Sequence, residues 1–261
     1  MSDALSGFTE STFTYDSLDR RVFRAGSGPA VIVIHEVPGI TPLVAAFARQ
    51  VVDRGFSVRM PSLFGTPGKA MSTGYVIRSI TRACVASEFA AFALDRTSPI
   101  IGWLRALAAE AHAECGGPGV GAVGMCFTGG FALGMMVDER MLAPVLSQPS
   151  TPFPIGKKRK TAVGISDEDL QLVKQRAAQG ACVLGLRFTK DPAVPPERFD
   201  TLRRELGDAF MAVEIDSSKG NPHGISRFAH SVLTEHFVDA PDHPTRAALD
   251  RVLAFFDERL R

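Results

Sequence analysis

The residue in this chain best suited to act as a nucleophile is Cys126. It lies in residues 121–130, G-A-V-G-M-C-F-T-G-G, where an apolar run leads into a cysteine and two glycines. This order predicts a strand, a sharp turn and a helix that begins near Phe127. Such a turn places a nucleophile at the top of a sheet, and the positive end of the helix favours the thiolate. The alternative is a buried cysteine that serves as a small apolar residue.

An acid and a base follow Cys126, in the order nucleophile, acid, histidine. Asp191 lies at the predicted carboxyl end of a strand; its alternative role is an N-cap or Asx turn before the next helix. His223 and His230 are the two candidate bases. His230 is preferred because it follows the final predicted strand and precedes a predicted helical return, whereas His223 lies between a proline and a glycine. In this interpretation His230 exchanges protons with the thiol and leaving group, and Asp191 orients the imidazole.

The composition argues against several other classes of function. Twenty-nine basic and 28 acidic residues give a formal net charge of +1, so no long-range field attracts nucleic acid or anionic lipid. No secretory signal or membrane-spanning segment is predicted, and the four cysteines have no C-x-x-C spacing. The sequence therefore predicts a cytoplasmic protein with reduced thiols that acts on a small molecule. A homodimer is compatible with it, although no residue pattern argues for one.

Short apolar runs alternate with helical patterns along the chain, which predicts an α/β fold with a mostly parallel sheet and helices on both faces. Residues 31–35, V-I-V-I-H, predict a central strand. The other predicted strands cover 12–18, 20–24, 56–60, 120–123, 143–147, 181–188 and 210–215. The predicted helices cover 40–54, 99–114, 167–179, 196–206 and 245–260. Residues 67–98 are interpreted as a cap-like helical excursion from a single domain, 1–261.

The pattern resembles the dienelactone hydrolase family from residue 30 to residue 260. Four features carry the resemblance: the H-E pair His35 and Glu36, the turn at Cys126, the D-P-x-V-P segment at Asp191, and the H-S pair at His230. Their order and spacing together are more specific than any one of them. The resemblance implies an α/β-hydrolase fold with a Cys-His-Asp triad. It also implies hydrolysis of small lactones, esters or thioesters through an acyl-enzyme, with no metal and no organic cofactor.

The resemblance gives roles to three further residues. The family glutamate that matches Glu36 holds the resting cysteine and accepts its proton when substrate arrives. An exposed loop carboxylate is the alternative interpretation of Glu36. The backbone N–H groups of Val37 and Phe127 occupy the positions expected of an oxyanion hole.

Two residues depart from the family pattern. Thr128 stands where the family has glycine, which predicts a slightly displaced turn. Thr234 stands where the type enzyme has an arginine that holds the substrate carboxylate, so the sequence argues against dienelactone itself. If the substrate is acidic, Arg78, Arg82 or Arg227 is the candidate for binding it; the alternative is that these arginines are solvated surface charges.

Two other functions fit the same residues. A redox- or electrophile-reactive thiol protein would keep the reactive cysteine without hydrolysing esters. A non-catalytic binding protein would keep only the fold, since a fold alone does not establish a function.

Overall fold

The computed structural model describes residues 3–76, 78–79, 98–151 and 156–261. In these residues the strands are β1 (Thr9–Tyr15), β2 (Leu18–Ala25), β3 (Ala30–Ile34), β4 (Ser57–Pro61), β5 (Val120–Met125), β6 (Met141–Ser147), β7 (Val183–Phe188) and β8 (Phe210–Ile215). They form one sheet in the order β1-β2-β4-β3-β5-β6-β7-β8. The pairs β1·β2 and β2·β4 are antiparallel, and the pairs from β4 to β8 are parallel.

The central strands are buried along their whole length, because helices cover both faces of the sheet. Every residue of β3, β4, β5 and β7 is buried. Helices in the described residues include α1 (Pro42–Asp53), α2 (Pro99–Cys115), α3 (Gly129–Met135), α4 (Lys157–Thr161), α5 (Asp167–Ala178), α6 (Pro196–Leu206) and α7 (Pro244–Leu260). Residues of α1 and α7 pack in one apolar cluster, and residues of α2, α3, α5 and α6 pack in another. This three-layer arrangement confirms the α/β-hydrolase fold.

Three local predictions need correction. The first hairpin turns at Asp16 and Ser17, both with positive φ, so its strands begin earlier than the apolar pattern indicated. Residues Cys126–Thr128 form a 3-10 turn, so α3 begins at Gly129 rather than near Phe127. Turns, rather than a returning helix, fill the chain between His230 and α7. The expected cap-like excursion, 67–98, lies largely outside the described residues.

Candidate active site

Cys126 lies at the carboxyl end of β5 in a backbone conformation that few residues with a side chain adopt. Its φ is 56°, in the left-handed region. Two residues earlier, a Cβ at Gly124 would lie 2.2 Å from the carbonyl oxygen of Thr128, so the turn requires glycine there. The side chain of Cys126 is partly exposed and its thiol is free. This sharp turn between β5 and α3, here called the elbow, therefore presents the sulfur to solvent at the carboxyl end of the central strands.

Thr128 takes part in the elbow through its hydroxyl group. The hydroxyl accepts a hydrogen bond from the N–H of Met125, over 3.0 Å, and lies 3.0 Å from the carbonyl oxygen of Ile34, to which it donates. The residue is fully buried. Threonine at this position therefore joins the turn at Cys126 to the end of β3, and its contacts explain how the chain accommodates the departure from glycine.

Asp191 and His230 meet although they are 39 residues apart in sequence. Oδ2 of Asp191 lies 2.6 Å from Nδ1 of His230, and Oδ1 accepts from the N–H of Ala193 over 2.9 Å. Burial opposes protonation of the imidazole, but the neighbouring Cys126 and Asp191 side chains outweigh it and raise the pKa of His230 well above 6.5. Both neighbours therefore favour the protonated, positively charged form of the imidazole.

His236 supports the turn that carries His230. Its Nδ1 accepts hydrogen bonds from the backbone N–H groups of His230, over 3.4 Å, and of Ser231, over 3.3 Å. Burial and the positive charge of His230 lower the pKa of His236. A neutral ring that accepts at Nδ1 matches both observations. No local sequence pattern indicates this role, because the contact arises from the fold of the turn.

The Glu36 carboxylate is buried and binds the turn that carries His230. It accepts hydrogen bonds from the hydroxyl of Ser231, over 2.6 Å, from the hydroxyl of Thr234, and from Nε2 of Gln148, over 3.2 Å. Oε1 of Gln148 in turn accepts from the N–H of Val232, over 3.2 Å. Glu36 is 2% exposed, so it is not the loop carboxylate of the alternative interpretation. Its role in holding the resting cysteine stays a prediction.

His35 fixes the segment that leads from β3 to Val37. The buried ring donates from Nδ1 to the carbonyl oxygen of Glu36, over 2.9 Å, and accepts at Nε2 from the N–H of Leu63, over 3.1 Å. Burial lowers the pKa of His35 to about 4. Because one nitrogen must donate and the other accept, the ring is neutral here.

Two buried arginines brace the loop that carries Asp191. Arg187 donates to the carbonyl oxygen of Val194 over 2.6 Å, and Arg198 donates to that of Ala193 over 3.3 Å. Burial lowers the pKa of Arg198 to about 10, so it stays a cation at neutral pH. Neither arginine was identified from the sequence, because nothing in its local pattern distinguishes a buried arginine from a surface one.

The second candidate base and the candidate substrate-binding arginines are exposed or lie outside the described residues. His223 is exposed and its ring faces that of His243, with centroids 5.4 Å apart. Arg227 is exposed and lies over the ring of Phe228. Arg78 is exposed, and Arg82 falls on residues that are not described.

The described part of the chain contains neither a metal-binding cluster nor a membrane-spanning helix. Residues 3–76, 78–79, 98–151 and 156–261 contain no group of three or more His, Cys, Asp and Glu side chains able to hold a metal ion. Within the same ranges, no helix has the length and apolar character needed to cross a bilayer.

Comparisons with known proteins agree with this architecture. The model of the dienelactone hydrolase family matches residues 21–260. A structure from Klebsiella pneumoniae subsp. pneumoniae MGH 78578, assigned as a dienelactone hydrolase, has 16% identity and a TM-score of 0.66, covering 96% of this chain and 98% of its own. A dienelactone hydrolase-like promiscuous phosphotriesterase from metagenomic libraries has 16% identity and a TM-score of 0.63, covering 97% and 98%. A cold-adapted esterase from an Arctic intertidal metagenomic library has 15% identity and a TM-score of 0.57, covering 97% and 93%. The search of curated proteins gives no match.

Proposed function

This chain belongs to the dienelactone hydrolase family and is a hydrolase of ester or lactone bonds, and we propose that Cys126, His230 and Asp191 form its catalytic triad. The observation that carries the proposal is the position of His230, which lies 2.6 Å from Asp191 and beside Cys126, and both of these neighbours raise its pKa. A thiolate beside an imidazolium is the activated state of a cysteine nucleophile.

In the first half of the reaction, the Cys126 thiolate attacks the carbonyl carbon of the ester. The electron pair of the carbonyl moves to oxygen, and the N–H groups of Val37 and Phe127 are the proposed hydrogen-bond donors to that oxygen. The tetrahedral intermediate then collapses and the bond to the alcohol oxygen breaks. His230 gives its proton to that oxygen, which leaves a thioester on Cys126 and a neutral imidazole.

In the second half, water replaces the alcohol. His230 takes a proton from the water as its oxygen attacks the thioester carbonyl, and the second intermediate expels the thiolate. The products are a carboxylic acid and the starting thiolate–imidazolium pair. Asp191 holds the imidazole in one orientation throughout, because it accepts from Nδ1 and leaves Nε2 to exchange protons.

The surroundings favour small, uncharged esters, lactones or thioesters as substrates. Thr234, at the place of the family's carboxylate-binding arginine, donates to Glu36 instead. Arg78 and Arg227 are exposed, and Arg227 lies on the ring of Phe228. A reducing compartment such as the cytoplasm stays a prediction from the cysteine spacing; in the described residues Cys115, Cys126 and Cys182 are free thiols.

The test is a burst assay with p-nitrophenyl acetate and with small lactones, in which intact mass follows the acyl adduct. We expect the wild-type protein to gain and then lose one acetyl group. The Cys126→Ala variant should form no adduct and lose turnover by at least about 10⁴-fold, as removal of a catalytic nucleophile does.

Cys182→Ala is the matched control, since Cys182 is a partly exposed free thiol outside the site. Turnover that survives in Cys126→Ala but not in Cys182→Ala would contradict the proposal. Alkylation of Cys126 by iodoacetamide without any acyl adduct would instead favour the redox-reactive thiol protein.

A further inference from the structure

Ser150 contacts the nucleophile in two ways. Its hydroxyl oxygen lies 3.2 Å from the sulfur of Cys126, and its backbone N–H donates to the carbonyl oxygen of Cys126 over 2.9 Å. The serine is 8% exposed. Because the main-chain bond fixes where Ser150 starts, its hydroxyl is held beside the sulfur.

The loop around Ser150 is itself anchored by Arg198. This side chain, 1% exposed, donates to the carbonyl oxygen of Pro149 over 2.8 Å and to the hydroxyl of Thr151 over 2.6 Å. On the other side, a Cβ at Gly129 would lie 2.6 Å from Cα of Pro149, so the loop packs directly against the start of α3. The distance between Ser150 and Cys126 is therefore set by rigid neighbours on both sides.

Glu36, the residue that the family resemblance assigns to the resting sulfur, has other partners. Its two oxygens accept from Ser231 and Thr234, which follow His230 in its turn, and from Gln148, which itself binds Val232 of that turn. A buried carboxylate with three donors is held firmly in place, because turning toward the sulfur would leave those donors unpaired.

We propose that Ser150, rather than Glu36, is the side chain that holds the resting sulfur of Cys126, and that Glu36 instead positions the turn of His230. This proposal rests on the proposed function. The Ser150 hydroxyl donates a hydrogen bond to the thiolate, which stabilises the charged nucleophile, and it stabilises the same thiolate again when the thioester breaks. No bond to Ser150 forms or breaks, so Ser150 is a hydrogen-bond donor to the reacting atom and not a second nucleophile.

The test measures alkylation of Cys126 by iodoacetamide against pH, read from the mass of the peptide that contains it. This readout needs no turnover. The wild-type protein is compared with Ser150→Ala, Ser150→Thr and Glu36→Gln. A hydrogen bond to a charged group predicts that Ser150→Ala slows alkylation at pH 7 by about ten-fold and moves the midpoint of the profile to higher pH. Ser150→Thr, which keeps the hydroxyl, should restore most of the rate.

Glu36→Gln and a further variant, Ser231→Ala, separate the role of Glu36. Both should lower kcat for p-nitrophenyl acetate, and both should move the alkylation profile of Cys126 less than Ser150→Ala does, because they act on the sulfur only through the turn of His230. If Glu36→Gln moves the profile and Ser150→Ala does not, the proposal is wrong and Glu36 holds the thiol.

Two further results complete the design. If Ser150→Ala does not fold, Ser150→Gly also removes the hydroxyl and gives the same comparison, and an unchanged alkylation profile in it overturns the proposal. The triad is tested separately by the acyl adduct of Cys126, so failure of the triad and failure of the Ser150 contact give different results.

Discussion

The two ends of the parallel strands both carry half-buried or buried charges, but they hold them differently. At the amino end, Arg24 pairs with Glu110 over 2.6 Å and with Glu114 over 2.9 Å, and Arg59 pairs with Glu114 over 2.7 Å. These cations and anions neutralise one another. At the carboxyl end, the Glu36 carboxylate is held by uncharged donors.

Arg198 shows the same design at the carboxyl end with a positive charge. All five of its N–H bonds have uncharged acceptors: the carbonyl oxygens of Pro149, Arg159, Ala162 and Ala193, and the hydroxyl of Thr151. A charge held by neutral dipoles keeps its field, whereas an ion pair cancels most of it. The difference teaches that Glu36 and Arg198 at the carboxyl end are held by neutral groups, whereas Arg24 and Arg59 at the amino end are paired with carboxylates.

The largest expected effect separates the two ends by activity. Asp191→Asn should lower kcat by about 10²- to 10⁴-fold, because it removes the charge that orients and stabilises the imidazolium. Glu114→Gln, the same chemical change at the amino end, should alter kcat less than about two-fold, since its ion pairs are partly exposed. Steady-state kinetics with p-nitrophenyl acetate measure both. Equal losses of kcat in the two variants would show that the difference between the two ends of the strands has no bearing on catalysis.

The second effect separates the ends by stability. Arg198→Met removes a buried cation that serves five acceptors and should lower the free energy of unfolding by about 3–5 kcal/mol. Arg24→Met should cost about 1 kcal/mol or less, as is usual for partly exposed ion pairs. Urea unfolding monitored by circular dichroism gives both values. An Arg198 variant as stable as the Arg24 variant would contradict the anchoring role.

The third effect is a pH dependence of stability at the carboxyl end, where the ring of His35 must be neutral to make its two hydrogen bonds. Burial lowers the pKa of His35 to about 4, below its ordinary value of 6.5. The unfolded chain therefore binds a proton at His35 between these two values and the folded chain does not. The stability that the neutral ring contributes is complete above pH 6.5 and is lost as the pH falls toward 4, about 3 kcal/mol in all.

The measurement for His35 is the free energy of unfolding at several pH values between 4 and 7. His35→Gln should have a shallower dependence than the wild-type protein, because glutamine can donate and accept without titrating. His112→Gln, an exposed histidine near the amino end, is the control. A wild-type slope that survives in His35→Gln would mean that other groups cause the loss at low pH.

Most of the fold could be predicted, and the sources of error are specific. The central strand 31–35 and the terminal helix 245–260 were predicted within a residue, because their apolar residues follow the period of a single element. The hairpin bounds were wrong, since Asp16 and Ser17 adopt positive φ without glycine. The start of α3 was also wrong, since the 3-10 turn at Cys126 depends on contacts of Thr128 with β3.

The sequence by itself determined the family, the order of Cys126, Asp191 and His230, and the strands that bring them to one edge of the sheet. Those features follow from local residue types and from the rule that parallel strands end together. Only the tertiary structure decided the partners of these residues. Ser150, Gln148 and Arg198 lie beside the site because loops far apart in sequence meet there, and a hydrogen bond between distant loops leaves no periodic trace in the chain.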